Sequence, residues 1–600
     1  MTRRLQLKAN GLMIKRRRTL ASKLIVLSGL AIFLLFAWTA RESAADEPTR
    51  PNILFISVDD LNDWIGCMAG HPQSRTPNLD RLAAEGMLFS NAHCPAPACN
   101  PSRSAIMTGV APNVSGLYDN RQKMRELLPN EPIIPKYFSE HGYWSAGSGK
   151  ILHYFTDAGS WNKYFPPQET ENPFPSTLYP EKRPVSLPRG GNWQYIETDW
   201  GPLDVTDKEF GGDYSVAEWV GKELSRKHQK PFFLACGIYR PHEPWFVPKK
   251  YFDQFPLEDI QLPPGYREND LDDLSDEAQR RGRNRYFAHI QKHQQWKKAI
   301  QGYLASISFA DAMVGRVLDA LDNGPNKENT IVVLWSDHGW HLGEKEHWQK
   351  YTGWRVCTRV PLMIRVPKGT AGLPSGTSAN SICNQPVSLI SLYPTLLDLA
   401  GLPAKKSNDG PSLVPLLKDP EHDWPHVAVT HLDRPGNFSV SDRHWRYIQY
   451  ADGEHELYNI KNDPFEWTNL ASNPTAENAD RIRKFIAKSP SRFAKYIPAK
   501  KKVLPKLTWN SMNEQSLPKS VPVGEPLDVY FNNKSEIPVD IFRIDATGNE
   551  HPYGTLERGW FKPYRAKQGE VWLVKSRQSQ RLGYFKVGEE TSEAIITLSQ

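Results

Sequence analysis

Residues 52–58, NILFISV, form an unbroken apolar run that stops abruptly at two aspartates. A run of that length without alternation predicts a strand buried on both faces, as in a parallel sheet. The stretch TPNLDRLAAEGMLFSNAH follows, with Leu79, Leu82, Ala83 and Met87 at helical spacing and Gly86 near the end. That pattern predicts a helix closed by a glycine. The theme then recurs. NEPIIPKYFSEHGYWSAGSGK predicts a helix through Phe138, a stop near Gly142 and a strand over 143–147. DYSVAEWVGKELSRKHQKPFFLACGIYRPHEPW predicts a helix over 214–226 and a strand over 232–237. The longest helix is predicted over 300–321, followed by a strand over 330–336. Alternating helices and buried strands imply an α/β fold with a mainly parallel sheet sandwiched by helices.

Beyond about Gly401 the alternation weakens. HWRYIQYADGEHELYNIKNDPFEWTNLASNP predicts strands, a turn and a closing helix, hence a smaller α+β subdomain over 401–497. PAKKKVLPKL opens a Lys/Pro-rich linker, 498–513. From 514 to 600 short strands alternate with turn residues, which predicts an appended all-β domain. Six hundred residues exceed a single core, so several domains are expected. The α/β domain is then 50–400.

Charge changes the picture only at the N-terminus. The chain carries a net +7, but residues 1–45 hold nine Lys/Arg and one Glu. The remainder is therefore close to neutral, which gives no support for a nucleic-acid partner. The basic stretch precedes the apolar run 24–40 and a small-residue pattern at Ser43-Ala44-Ala45. This order predicts a signal peptide or a retained membrane anchor, with the body exported. Six cysteines in 600 residues do not make a disulfide scaffold.

Four predicted strands are followed at once by ionisable residues: Asp59-Asp60, Lys150 with His153, His242, and Asp337-His338. Ligand sites in open α/β sheets lie beyond the carboxyl ends of strands, so these groups belong to one crevice. Three carboxylates and an imidazole suit a divalent cation, Ca²⁺ or Mg²⁺ rather than Zn²⁺. Lys150, His153, His242 and Lys350 add groups that could clamp an anionic substrate and protonate a leaving group. Cys99, in CPAPACNPSRSAIMTG, fits less well. A thiolate beside carboxylates is disfavoured unless a metal binds it, and hard cations do not seek sulfur. From the residues alone Cys99 is structural, a ligand, or chemically altered.

CNPSRSAIMTG resembles the signature of the sulfatase family, Cys-x-Pro-Ser-Arg followed by Thr-Gly. NILFISVDDLNDW, GSGKILH, YRPHEPW and SDHGWHLGEKEHWQKY are similar to further elements of that family, and the likeness covers roughly 51–474. His338, the Trp-x-Lys spacing and LYDNRQKMRELLPNEPIIPKYFSEHGYWSAGSGK resemble its iduronate-2-sulfatase branch. The resemblance implies that Cys99 is oxidised to 3-oxoalanine (formylglycine) by a formylglycine-generating or anaerobic sulfatase-maturating enzyme. It implies a Ca²⁺ site formed by Asp59, Asp60, residue 99, Asp337 and His338. It implies catalytic roles for Cys99, Arg103, Lys150, His153, His242 and Lys350, and a sulfated glycan as substrate. In its terms, a hydroxyl of the hydrated aldehyde attacks sulfur, and the second hydroxyl then releases sulfate. Lys345, Glu346 and His347 depart from the branch pattern, in a stretch expected near the mouth of the site.

The C-terminal VYFNNKS…HPYGTL…VWLV resembles the β-domain of the von Hippel–Lindau protein over about 527–598. Tyr553 and Trp572 match aromatics of that domain's hydroxyproline pocket, whereas Ile541, Ala566 and Glu570 replace its Trp, Ser and His. The segment reads as a docking module of unknown ligand, or as a small β-core. Two other functions remain open at this point. One is a phosphodiesterase or phosphonate hydrolase of the same superfamily; the other is a surface-binding protein using the β module.

Overall fold

Strand β1 (Asn52–Val58) is buried along its whole length. It shares an eight-stranded sheet with β2 (Met87–Phe89), β3 (Trp144–Gly149), β4 (Lys163–Phe165), β5 (Phe232–Ile238), β6 (Thr330–Ser336), β7 (Leu362–Arg365) and β8 (Ser381–Cys383). The order is β8-β2-β7-β6-β1-β5-β3-β4. Five of the seven pairings are parallel, and β7 runs antiparallel to both neighbours. The chain is seen in a computed structural model that describes residues 50–598 except 154, 168–173, 182, 189–196, 500–502 and 513–515. The signal peptide or anchor expected in 1–45 lies outside the described residues. Among the described residues no helix is long and apolar enough to cross a membrane.

The unbroken apolar runs are explained by two cores, one on each face. Leu54, Ile56 and Val58 of β1 face helices α1 (Pro77–Glu85), α4 (Asp213–Leu224) and α5 (Trp296–Asp322). Ile53 and Phe55 face α2 (Cys99–Thr108), α3 (Ile134–Glu140) and α6 (Leu392–Leu399). Strand β5 divides in the same way, with Leu234 and Cys236 to one side and Phe233 and Ala235 to the other. Side chains alternate across a pleated strand, so both parities must be apolar when both faces are covered. Strands β1 and β6 have the bounds expected from sequence, and α5 begins four residues earlier than expected.

Strands β9 (Ala428–His431), β10 (Phe438–Ser441), β11 (Arg446–Gln449) and β12 (His455–Tyr458) form an antiparallel meander. Helix α7 (Ala476–Lys488) covers it, packing Ile482 and Phe485 on Phe438, Val440, Tyr447 and Leu457. Thr475 caps this helix by accepting from the Asn478 amide at 3.2 Å.

The chain divides into two compact units, Met1–Pro498 and Ala499–Gln600. The second is all-β, with sheets of five and three strands around a core that includes Phe531, Ile541, Trp572 and Phe585. Trp572 is fully buried and donates its indole N–H to Glu570 at 3.1 Å. Tyr553 meets it edge-on at 4.7 Å and is 40% exposed. Of the two aromatics singled out from sequence, one is therefore core and the other lies at the surface.

Candidate active site

Three strand ends and one helix start meet at a point. Strand β1 delivers Asp59 and Asp60 and turns there, with Asp60 in the left-handed region at φ 58°. Aspartate tolerates that region better than most residues. Strand β3 ends at Gly149, where a Cβ would collide with the carbonyl of Gly237. A Cβ on Gly237 would in turn strike the Lys150 backbone. These two glycines let β3 and β5 approach closely enough to turn Lys150 inward. Strand β6 delivers Asp337 and His338. Helix α2 begins at Cys99 itself and is closed by Gly109 at φ 72°. Its N-terminus turns the positive end of the helix dipole toward the cluster.

All ten residues singled out from sequence converge here. The Cys99 thiol lies 3.1 Å from Lys350 Nζ, 3.3 Å from His338 Nε2 and 3.6 Å from Lys150 Nζ. His153 and His242 also reach Cys99. Lys150 pairs with Asp59, and Lys350 Nζ lies 2.8 Å from Asp60 Oδ1. Asp60 Oδ1 is 3.4 Å from His338 Nε2, and Oδ2 is 3.7 Å from His242 Nε2. Arg103 is the tie between the carboxylates. Its Nε donates to Asp337 Oδ2 at 2.8 Å and one terminal nitrogen to Asp59 Oδ1 at 2.9 Å. The other terminal nitrogen donates to the carbonyls of Lys150 at 2.7 Å and Ile151 at 3.1 Å. Arg103 therefore spends its fork on holding other groups in place.

Burial and charge compete at each group. Burial would raise the Cys99 pKa, but Lys150, Lys350 and His338 hold it well below the usual thiol value. Burial would lower that of His242, but the Asp60 carboxylate pushes it up to about 9. Burial likewise opposes a charged Lys350, and Asp60 and Cys99 overcome it. At His153 burial wins, and the imidazole is held below its ordinary value. Asp337 is kept below the usual carboxylate range, Arg103 outweighing burial.

The cluster fits a divalent cation. Donor atoms of Asp60, Cys99, Asp337 and His338 lie within 4.8 Å of one another, as do those of Asp59, Asp60 and His242. Asp60 Oδ2 is buried and accepts no hydrogen bond. A buried carboxylate oxygen in that state calls for a cation. Three carboxylates favour a hard ion, which an oxygen at position 99 would serve better than sulfur.

Of the departures at 345–347, Lys345 and His347 are buried and Glu346 pairs with Arg283 at 3.2 Å. Lys345 is buried, lies 3.0 Å from Asp270 and donates to the Glu466 carbonyl. The buried His347 ring spans the carbonyls of Gly282 at 2.8 Å and Lys350 at 2.9 Å. A stretch expected near the mouth thus takes a structural part: His347 anchors the backbone of Lys350. Cys94 is unbridged and buried.

Sequence reasoning missed two neighbours. Asn120 accepts the Asn100 amide at 2.9 Å, and Tyr351 sits at φ 79° with Gln349 at φ 82°. Positive φ at a bulky residue costs energy and collects at functional sites, but no spacing in the sequence announces it.

A profile of the sulfatase family matches residues 51–402, and one for the N-sulphoglucosamine sulphohydrolase C-terminal domain matches 343–489. A sulfatase of Formosa agariphila is 40% identical over 448 residues, spanning 72% of this chain and 85% of its own. Iduronate 2-sulfatase of Homo sapiens is 32% identical over 452 residues, spanning 69% of this chain and 80% of its own. Among solved structures, a phosphonate monoester hydrolase from Silicibacter pomeroyi aligns with a TM-score of 0.59 at 20% identity. The alignment covers 73% of this chain and 94% of that one. A protein solved in complex with D-glucosamine-2-N,6-O-disulfate aligns with a TM-score of 0.57 at 21% identity, covering 73% and 97%. Both share the fold. With the family matched across most of the α/β body, the chain belongs to the sulfatase family and is a sulfuric ester hydrolase.

Proposed function

We propose that this chain is an exported sulfohydrolase acting on sulfated glycans, on 2-O-sulfated uronate or a like sugar. Residue 99 is carried as 3-oxoalanine, installed by a formylglycine-generating or anaerobic sulfatase-maturating enzyme. Ca²⁺ is held by Asp59, Asp60, Asp337 and His338 together with residue 99. The observation that carries this reading is a buried Cys99 at the start of α2, within 3.1 and 3.6 Å of two lysines that pair with the candidate metal ligands. Identities of 33% and 32% to the mouse and human iduronate 2-sulfatases support the choice of sugar.

When bound, the cation and the oxidised residue 99 supply charge neutralisation and an oxygen nucleophile. The chain's own residues do the rest. Lys150 and Lys350 hold sulfate oxygens, assisted by the N-terminus of α2. Arg103 keeps Asp59 and Asp337 in register. The Nδ1 of His242 faces the Glu243 carbonyl at 2.6 Å, which leaves Nε2 to carry the mobile proton. That proton goes to the departing sugar oxygen, because an alkoxide leaves badly. Lys350 is the second candidate for this role. His153, kept neutral by burial, accepts a proton at residue 99. The C-terminal unit is an appended docking module, with exposed Tyr553 as its probe residue.

The test is sulfate release from defined sulfated disaccharides, run beside matched phosphonate monoesters, on chain co-produced with a maturation enzyme. Sulfate release lost in Cys99→Ala supports the reading. Phosphonate cleavage without sulfate release sinks it in favour of a phosphonate hydrolase.

A further inference from the structure

Beside the catalytic cluster lies a cavity of about 600 Å³. Arg121, Tyr351, Arg434, Tyr496 and Asn120 border it. Two links join it to the reacting centre. Tyr351 directly follows Lys350, whose ammonium is 3.1 Å from the Cys99 thiol. Asn120 accepts the amide of Asn100, the residue after Cys99. The volume lies within the range of small-molecule sites.

Both arginines are paired in a way that leaves them releasable. Arg121 lies 2.7 Å from Asp119 and its side chain is 78% exposed. Asp119 also accepts from the Tyr496 hydroxyl at 2.6 Å and from the amides of Arg121 and Gln122 at 2.8 and 3.2 Å. Arg434 lies 3.4 Å from Asp433 and is 60% exposed. Asp433 also accepts from Arg281 at 3.2 Å and Asn437 at 2.9 Å. Each aspartate keeps partners if its arginine turns away. Two aspartates and two arginines balance the basin, so a bound anion is compensated only when the arginines turn toward it. Removing either one takes away a cation that a bound anion would meet.

Tyr496 comes from a strap, 490–497, beyond the end of the matched C-terminal family range at 489. The strap is fastened to the 113–122 loop. The Ala494 amide donates to the Asn113 carbonyl at 2.7 Å, and Gln122 Nε2 donates to the Ile497 carbonyl at 2.9 Å. The Tyr118 hydroxyl donates to the Ala494 carbonyl at 3.1 Å. This strap therefore fixes the wall that carries Arg121.

We infer that Arg121 and Arg434 read a second anionic group, a carboxylate or a further sulfate, on the sugar that loses its sulfate, with Tyr496 as the positioning residue for Arg121. The inference rests on the sulfatase reading above. It makes the enzyme selective for acidic sugars over neutral ones.

The experiment measures kcat and KM for the mature protein and for Arg121→Gln, Arg434→Gln and Tyr496→Phe. The substrates are a 2-O-sulfated uronate disaccharide, its carboxyl-reduced counterpart, a disulfated neutral sugar, and 4-nitrophenyl sulfate. Loss of one charged hydrogen bond corresponds to about ten-fold in kcat/KM. Each arginine variant should lose about that much on acidic sugars, through KM, with a several-fold smaller loss on substrates lacking the second anion. Tyr496→Phe should show the same selectivity at smaller amplitude. Whether the uronate or the disulfated sugar shows the larger loss tells which anion is read. Equal losses on all substrates, or none on acidic sugars, overturn the inference while the sulfatase reading stands. A mature protein that frees sulfate from no substrate overturns both.

Discussion

Replacing Arg103 by lysine keeps the charge and removes the fork. The guanidinium bonds Asp337 at 2.8 Å and Asp59 at 2.9 Å at once, and it is wholly buried. One ammonium can hold one of these carboxylates, leaving Asp59 to Lys150 alone or Asp337 to His338 alone. Breaking a buried ion pair outright costs about 3–5 kcal/mol, and these remaining neighbours offset part of that. The bonds to the Lys150 and Ile151 carbonyls add about 1 kcal/mol each. Against whole-domain stabilities of about 5–15 kcal/mol, that is a large share. Saturating Ca²⁺ should return part of it, since a ligand bound only to the folded state stabilises it. The effect on rate is larger in proportion. Asp59 also orients Lys150, and a displacement of about 1 Å can cost about 100-fold in turnover. The assay is turnover of 4-nitrophenyl sulfate together with calorimetric unfolding with and without Ca²⁺. Arg103 also lies in the CNPSR stretch, so turnover must be divided by the fraction of residue 99 converted, read from the peptide mass. An Arg103→Lys protein with more than half the native turnover per converted site, and unchanged unfolding, would refute the argument.

Gly237→Ala should drive the Lys150 turn out of place, lowering turnover by at least about ten-fold, and crystallography would show Lys150 displaced. Unchanged activity would show that the close approach of β3 and β5 is dispensable. His347→Phe removes both carbonyl bonds of the ring and should raise KM through a loosened Lys350, with little change in fold by circular dichroism. An unaltered KM would remove His347 from the account. Burial pushes the Asp270 carboxyl up to about 7 despite Lys345 at 3.0 Å. A carboxyl raised above its unfolded value contributes stability below about pH 4 that is lost as pH rises through about 7. Asp270→Asn should therefore flatten the decline in melting temperature between pH 4 and pH 8, and a slope equal to the native one would contradict this.

The fold was legible where burial is two-sided. NILFISV and TIVVLWS read as strands because both parities are apolar, and both faces are indeed covered. The first turn of helix α2 was hidden for the opposite reason. Every residue from Cys99 to Thr108 is buried, so no apolar stripe marks it, and Pro101 looks like loop. Proline is tolerated in the first turn, where its missing amide would have had no partner. The ten site residues could be found because the ends of strands and the signature carry them. The basin could not: Arg121, Arg434 and Tyr496 come from three loops far apart in sequence, joined only by the folded strap. Lys345 and His347 were misplaced because a polar loop beside a site suggests solvent, whereas positive φ at Lys345 and Glu346 turns those side chains elsewhere.

On the proposed function, residue 99 works as oxygen. The most direct measurement is the mass of the tryptic peptide holding residue 99, taken on preparations whose sulfate release from a 2-O-sulfated uronate disaccharide is quantified. Released sulfate should rise in proportion to the fraction carrying an aldehyde, and fall to background when that fraction is nil. Full activity in a preparation whose peptide retains the cysteine thiol would contradict it.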